Sequence, residues 1–173
     1  MFEKSNKYKL LKVFLFFPTD SFRLRELSRL SGIPPSTALH YLNSFEKEGL
    51  IKRYIKRGVI YYAAERENPR FKLYQKLSIQ LELEISGLVE YLWNELSPKA
   101  IILYGSFARG EAVDSSDIDI FIIGNKCKID LTKYESYFQR EIHLMFEKDL
   151  KHIPKHLKSN LINGIVLRGY LKM

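Results

Sequence analysis

Apolar positions along the chain change period several times, and each change marks an element. Over residues 5–17, Tyr8, Leu11, Phe14 and Leu15 recur at three- and four-residue intervals, the spacing of one helix face. Pro18-Thr19-Asp20 stops that run, and Leu24, Leu27 and Leu30 give a short second helix ending at Gly32. Ile33-Pro34-Pro35-Ser36 opens a third helix, because the missing proline N–H costs nothing in a first turn. Ala38, Leu39, Leu42 and Phe45 form its expected core face, and Gly49 closes it. Residues 50–56 and 59–64 read as two strands joined at Lys56-Arg57-Gly58. The helical stripe returns over residues 71–96 with Leu81, Ile85, Leu88, Leu92 and Leu96, as one long helix or as two that part at Gly87. Ala100-Ile101-Ile102-Leu103-Tyr104 is a wholly apolar strand, residues 117–123 are a second strand that is apolar apart from Asp117 and Asp119, and residues 140–146 alternate as a third. Residues 133–139 give a short helix or turn, and residues 157–171 read as a closing helix.

Helices, a hairpin, a long helix and then strands mixed with helices predict an α+β fold in two parts. The polar stretch 65–69 sets the boundary, giving 1–67 as an N-terminal domain, 68–98 as a helical connector and 99–173 as a small mixed-sheet domain with flanking helices. Composition adds three constraints to this picture. An apolar fraction of 46% over 173 residues suffices for packed cores. The one cysteine, Cys127, excludes an internal disulfide and fits a reducing compartment. The apolar run 10–17 is far too short to span a membrane and is interrupted by Lys12, so the expected location is the cytoplasm. The formal charge of +8 is uneven: residues 1–67 carry 13 Lys and Arg against 7 Asp and Glu, which points the N-terminal part toward nucleic acid.

Candidate chemistry concentrates at residues 105–123, GSFARGEAVDSSDIDIFII. Residues two apart on a strand share a face, so Asp117 and Asp119 point the same way, roughly 6.5–7 Å apart along the backbone. Two carboxylates so placed can share a pair of divalent ions about 3.5–4 Å apart, suited to in-line phosphoryl displacement. Gly105 lets a phosphate approach the backbone, and Ser106 adds a hydroxyl and an N–H. A P-loop is excluded, since Glu111-Ala112 follows Gly110 where Lys-Ser/Thr is required. His152 and His156 are four apart, but Pro154 between them argues against a shared metal.

The pattern G-S-x-A-R-G-E followed by S-D-I-D-I resembles the signature of the minimal nucleotidyltransferases, small members of the DNA polymerase beta superfamily. The resemblance implies transfer of a nucleoside monophosphate from a nucleoside triphosphate to an acceptor hydroxyl. Gly105, Ser106 and Arg109 would bind the triphosphate, and Asp117 and Asp119 two Mg²⁺ ions. It also implies a third carboxylate on the next strand; here His143 stands at that place, with Glu141 on the same face. His143 would serve as a base or take a metal position, and Glu141 is the alternative catalytic group. Some minimal nucleotidyltransferases act as antitoxins that adenylylate a small helical partner protein, which makes such a partner an expectation here. The competing reading is a DNA-binding regulator whose transferase domain is degenerate and binds nucleotide without catalysis.

The first 67 residues, with L-x-x-L-S-G-I-P-x-S-T and then L-x-x-x-E-K-E-G-L-I, resemble the winged helix-turn-helix domain of prokaryotic, particularly archaeal, proteins. The resemblance implies a third helix in the major groove of double-stranded DNA and a hairpin along the backbone. Ser36, Thr37, His40, Tyr41 and Ser44 would face the DNA, and Arg53, Lys56 and Arg57 would be wing contacts. A homodimer through the 71–83 helix is a further expectation. A winged helix that mediates protein contacts alone is the alternative.

Overall fold

The computed structural model describes residues 4–149, 158, 161 and 163–171. The chain forms two compact units, Met1–Gln75 with Ala112–Asp114, and Lys76–Glu111 with Ser115–Met173.

The first unit holds α1 (Asn6–Phe16), β1 (Ser21–Phe22), α2 (Leu24–Ser31), α3 (Pro35–Lys47), β2 (Ile51–Lys56) and β3 (Val59–Ala64). Ser5 caps α1 by accepting from the Tyr8 N–H at 3.2 Å, and the Arg23 N–H donates to Glu26 Oε2 at 2.7 Å to start α2. Leu10, Phe14, Leu27, Ala38, Leu42 and Phe45 are buried, so the three helices meet on their apolar stripes. Leu39 departs from expectation: at 38% exposure it lies on the flank of α3 instead of its core face. Sheet order is β1-β3-β2, all antiparallel. The two-residue β1 carries too little pattern to be seen in sequence. Ile51, Tyr62 and Ala64 anchor the root of the hairpin in the core, and the strands beyond them are largely exposed. The buried Gln75 amide completes this unit. Its Nε2 donates to the carbonyls of Leu15 (2.9 Å) and Ala112 (3.1 Å), and its Oε1 accepts from the Ala112 N–H (3.0 Å). The Thr19 N–H donates to Asp114 Oδ1 at 2.9 Å.

The helical stretch resolves into α4 (Pro69–Ile85), which starts in the first unit, and α5 (Leu88–Leu96); Gly87 separates them. The second unit continues with β4 (Ala100–Tyr104), α6 (Gly105–Arg109), β5 (Ile118–Ile123), α7 (Thr132–Phe138), β6 (Ile142–Glu147) and β7 (Ile165–Gly169). Sheet order is β6-β5-β4-β7; β5 and β6 are parallel and the other pairs antiparallel. All of β4 is buried, and Ala100, Ile102 and Tyr104 pack with Phe121, Ile123 and Leu161 on one face of the sheet. Tyr137 of α7 donates its hydroxyl to buried Glu82 Oε2 at 2.8 Å; burial, then that bond, push its phenol up to about 12.

The expected closing helix is corrected over 165–169, which pairs as β7 with β4. Leu157 and Leu161, and Leu167 and Leu171, each four apart, suggest a helix, but β-branched Ile165-Val166 favours a strand. Gly169 has φ +84°, and a side chain there would collide with the Lys99 carbonyl, so the backbones approach too closely for another residue. His152 and His156 lie outside the described residues. No described helix is long and apolar enough to cross a membrane.

Candidate active site and nucleic-acid interface

The Gly-Ser turn and the Asp-x-Asp strand meet at one end of the central strands of the second unit's sheet. The apolar β4 ends at Tyr104, which pairs with Asp119 of β5. Gly105 turns the chain at φ +72°, and a Cβ built there would collide with the Asp119 carboxylate. The glycine therefore makes room for the acid. α6 brings Ser106 and Arg109 to the same end of β4. The Arg109 Nε donates to Glu111 Oε2 at 2.9 Å, both side chains being about half exposed.

The parallel register of β5 and β6 sets Asp119 opposite His143. The His143 ring has Nδ1 at 3.8 Å from Asp117 Oδ2 and 3.9 Å from Asp119 Oδ1, and Nε2 at 3.4 Å from Glu141 Oε2. Donor atoms of Asp117, Glu141 and His143 all lie within 4.8 Å of one another. Burial pushes the Asp119 carboxyl above its ordinary value; the Asp117 charge adds to this, while His143 and Arg109 oppose it. Asp117, Glu141 and His143, at the neighbouring ends of β5 and β6 and with Asp119 3.9 Å from the ring, form a donor set that fits a divalent cation.

In the first unit, Ser36, Thr37, His40, Tyr41 and Ser44 recur along one face of α3, opposite buried Ala38, Leu42 and Phe45. Ser36 and His40 are exposed, Thr37 and Tyr41 are half-buried, and the His40 and Tyr41 rings meet edge to face. Ser44 is engaged within the unit, donating to Glu48 Oε1 at 2.9 Å. Arg53, Lys56 and Arg57 are exposed on the hairpin, where Arg53 lies 3.5 Å from Glu46. Arg57 takes φ +53° at the tip.

The profile of the family described as polymerase beta, nucleotidyltransferase, matches residues 86–171. The IclR helix-turn-helix domain profile matches residues 9–53. The chain joins an IclR-type helix-turn-helix domain to a polymerase beta nucleotidyltransferase domain. No curated protein matches it. Among solved structures it is similar to a predicted DNA-binding transcriptional regulator from E. coli. The identity is 23% over 38% of this chain and 67% of that one, with a TM-score of 0.32, too loose a likeness to speak to the fold.

Two features of these domains give little sign of themselves in sequence. In the nucleotidyltransferase domain, Arg140 is only 9% exposed; its Nη1 donates to the Ser116 carbonyl at 2.8 Å and its guanidinium stacks on Phe107, 5.3 Å from the ring centre. It thus ties α6 to the residue just before Asp117. An arginine at the mouth of an alternating strand carries no mark of being buried. In the helix-turn-helix domain, a cleft of about 560 Å³ is lined by Arg23, Arg25, Glu26, Ser28, Arg29 and Pro35. Arg23 is held there, with Nη2 donating to the Tyr61 hydroxyl at 2.7 Å and its guanidinium 5.2 Å from that ring's centre. The one-turn spacing of Arg25 and Arg29 is the signal that could have found this basic cleft.

Proposed function

We propose that the chain transfers a nucleoside monophosphate from a nucleoside triphosphate to an acceptor hydroxyl, and that its helix-turn-helix domain binds double-stranded DNA. The observation that carries the first part is the seat shared by Gly105 and Asp119. Any side chain at the turn would displace the carboxylate, so the two halves of the motif work as one constructed site. In the proposed reaction the acceptor oxygen attacks the α-phosphorus, a new P–O bond forms, the α–β P–O bond breaks and pyrophosphate leaves. The backbone at Gly105 and the Ser106 hydroxyl would hold the triphosphate, and Arg109 would offset its charge. Asp117 and Asp119 would hold divalent ions, Mg²⁺ on the family expectation, which supply charge neutralisation to an in-line displacement. Glu141 is the carboxylate at hand for the acceptor's proton. Most of the rate enhancement would come from positioning and from fixed charge.

The DNA part rests on the exposed α3 face, the basic hairpin and the arginine-lined cleft, which together offer backbone and groove contacts. The acceptor on this reading is a hydroxyl of a small helical partner protein, modified as in antitoxin-type relatives. A second reading is favoured by His143, which supplies no negative charge where a third carboxylate would: the domain then binds nucleotide and the chain works as a regulator. Incubating the full chain with α-labelled nucleoside triphosphates, a divalent metal and candidate partner proteins tests both. Label on an acceptor with matching pyrophosphate supports transfer. Nucleotide binding without any pyrophosphate, across all metals tried, favours the regulator.

A further inference from the structure

His143 is the one nitrogen donor, among the described residues, at a seat otherwise made of carboxylates. Its place is set by the backbone: the β5–β6 ladder holds it opposite Asp119, and next to it the Ile142 N–H donates to Glu135 Oε1 at 3.1 Å. The two ring nitrogens face different groups. Nδ1 looks toward Asp117 Oδ2 and Asp119 Oδ1 at 3.8 and 3.9 Å, and Nε2 toward Glu141 Oε2 at 3.4 Å. A carboxylate beside Nε2 favours the tautomer with its proton there, leaving the Nδ1 lone pair aimed at the two aspartates. Histidines that ligate metals are commonly oriented in this way, with the second nitrogen donating to a carboxylate. Two ligand atoms, each about 2.0–2.2 Å from a shared ion, stand roughly 3–4 Å apart, which is the spacing already present around Nδ1.

Mg²⁺ is a hard ion that prefers oxygen and keeps its waters, whereas imidazole suits later first-row ions such as Co²⁺, Ni²⁺ and Zn²⁺ better. We propose that His143 Nδ1, with Asp117 and Asp119, makes this seat selective for a divalent transition ion over Mg²⁺, and that Glu141 orients the ring. The inference rests on the nucleotidyl-transfer reading only in concerning the same seat.

The test uses the full chain and metal alone, without nucleotide. Calorimetric titration with Co²⁺ and Zn²⁺, each in competition with Mg²⁺, gives the preference ratio; the visible absorption of bound Co²⁺ reports its ligands. Carboxylate sites also favour Co²⁺ over Mg²⁺, so the deciding quantity is how the ratio changes on substitution. In His143→Asp and His143→Asn the ratio should fall by about tenfold or more, with a changed Co²⁺ spectrum. His143 is more than half exposed, so both variants should fold, and circular dichroism checks it. Glu141→Gln should weaken Co²⁺ by roughly tenfold while keeping the preference. A ratio in both His143 variants equal to that of the wild type overturns the proposal. So does loss of Co²⁺ binding in Glu141→Gln as complete as in Asp117→Asn, since Glu141 would then be a ligand. A chain that shows the His143-dependent preference but never releases pyrophosphate keeps this inference and sinks the transfer reading. Transfer with Mg²⁺, together with a preference ratio that His143→Asn leaves unchanged, does the opposite.

Discussion

The hairpin β2–β3 and the strand β5 both carry the charge that the proposed function draws on, under opposite conditions. On the hairpin, Ile51, Tyr62 and Ala64 are buried at the root, and Arg53, Lys56 and Arg57 project into solvent. On β5 every residue but Asp119 is buried, and Asp119 itself is held between Tyr104, Gly105 and His143. Exposed cations can follow a phosphate backbone, each adding a little by counterion release, and none needs an exact position. Carboxylates meant to hold an ion must be placed within a fraction of an ångström, and a buried strand supplies that placement. Function on the hairpin should therefore degrade gradually with substitution, and function on β5 abruptly.

The largest effect expected on this contrast is at the strand. Asp119→Asn keeps the shape of the side chain but removes its charge, and pyrophosphate release under single-turnover conditions should fall by about 10³-fold with the fold intact. Wild-type turnover in that variant would remove the active site from this end of the sheet. Next comes Arg140→Met, which keeps an apolar stem against Phe107 and removes the bond to Ser116. Mn²⁺ affinity should drop by about 10–100-fold, the usual cost of losing a group that orients a ligand, and Arg140→Lys should recover part of it. If neither Met nor Lys weakens Mn²⁺, the guanidinium has no part in placing Asp117.

Joint alanine substitution of Arg53, Lys56 and Arg57 should weaken duplex DNA binding by about tenfold. The log–log salt slope should flatten by about 0.9 for each phosphate that is no longer neutralised. Single alanines giving intermediate slopes would sharpen the contrast; one residue carrying the whole effect would break it. The smallest effect concerns Glu48, which links α1, α3 and α4 through Lys7 (3.1 Å), Ser44 (2.9 Å) and Arg70 (3.7 Å). Burial would raise this carboxyl, but the bonds from Lys7 and Ser44 and the charges of Lys7 and Arg70 bring it below its ordinary value. A lowered value means the folded state is favoured when Glu48 is ionised, so the benefit is present above the ordinary glutamate range and lost as pH falls through the lowered value. Glu48→Gln should thus reduce Tm by about 1–2 °C near pH 7, in keeping with a solvent-screened pair, and by nothing in strong acid. A deficit that persists in acid would point to packing instead of charge.

Legibility follows the same division. The signature is readable because both halves are short, contiguous and set against apolar strands, and the β6 alternation puts His143 and Glu141 on one face. What stays hidden in the sequence is non-local. The collision that reserves Gly105 for Asp119 depends on the pairing of two strands. Burial of Arg140 depends on Phe107, 33 positions earlier, and β7 on a strand partner more than 60 positions away. Leu39 looks like a core residue because a helical stripe has a flank whose burial is decided by the neighbour it meets, and no periodicity gives that.

The bonds made by Gln75 bear on how this protein could be divided or recombined. The first unit is assembled from two stretches of chain, because Ala112–Asp114 belongs to it although the sequence on either side does not. A gene fragment ending after residue 75 would encode a helix-turn-helix whose buried glutamine had lost its Ala112 partners, at about 1–3 kcal/mol for each group left unsatisfied. The helix-turn-helix portion is thus a poor cassette. Swapping it for another DNA-binding module would have to preserve a glutamine-sized donor and acceptor for a three-residue loop encoded well downstream. A substitution at Ala112, inherited with the nucleotidyltransferase stretch of the gene, would register first in the stability of the helix-turn-helix.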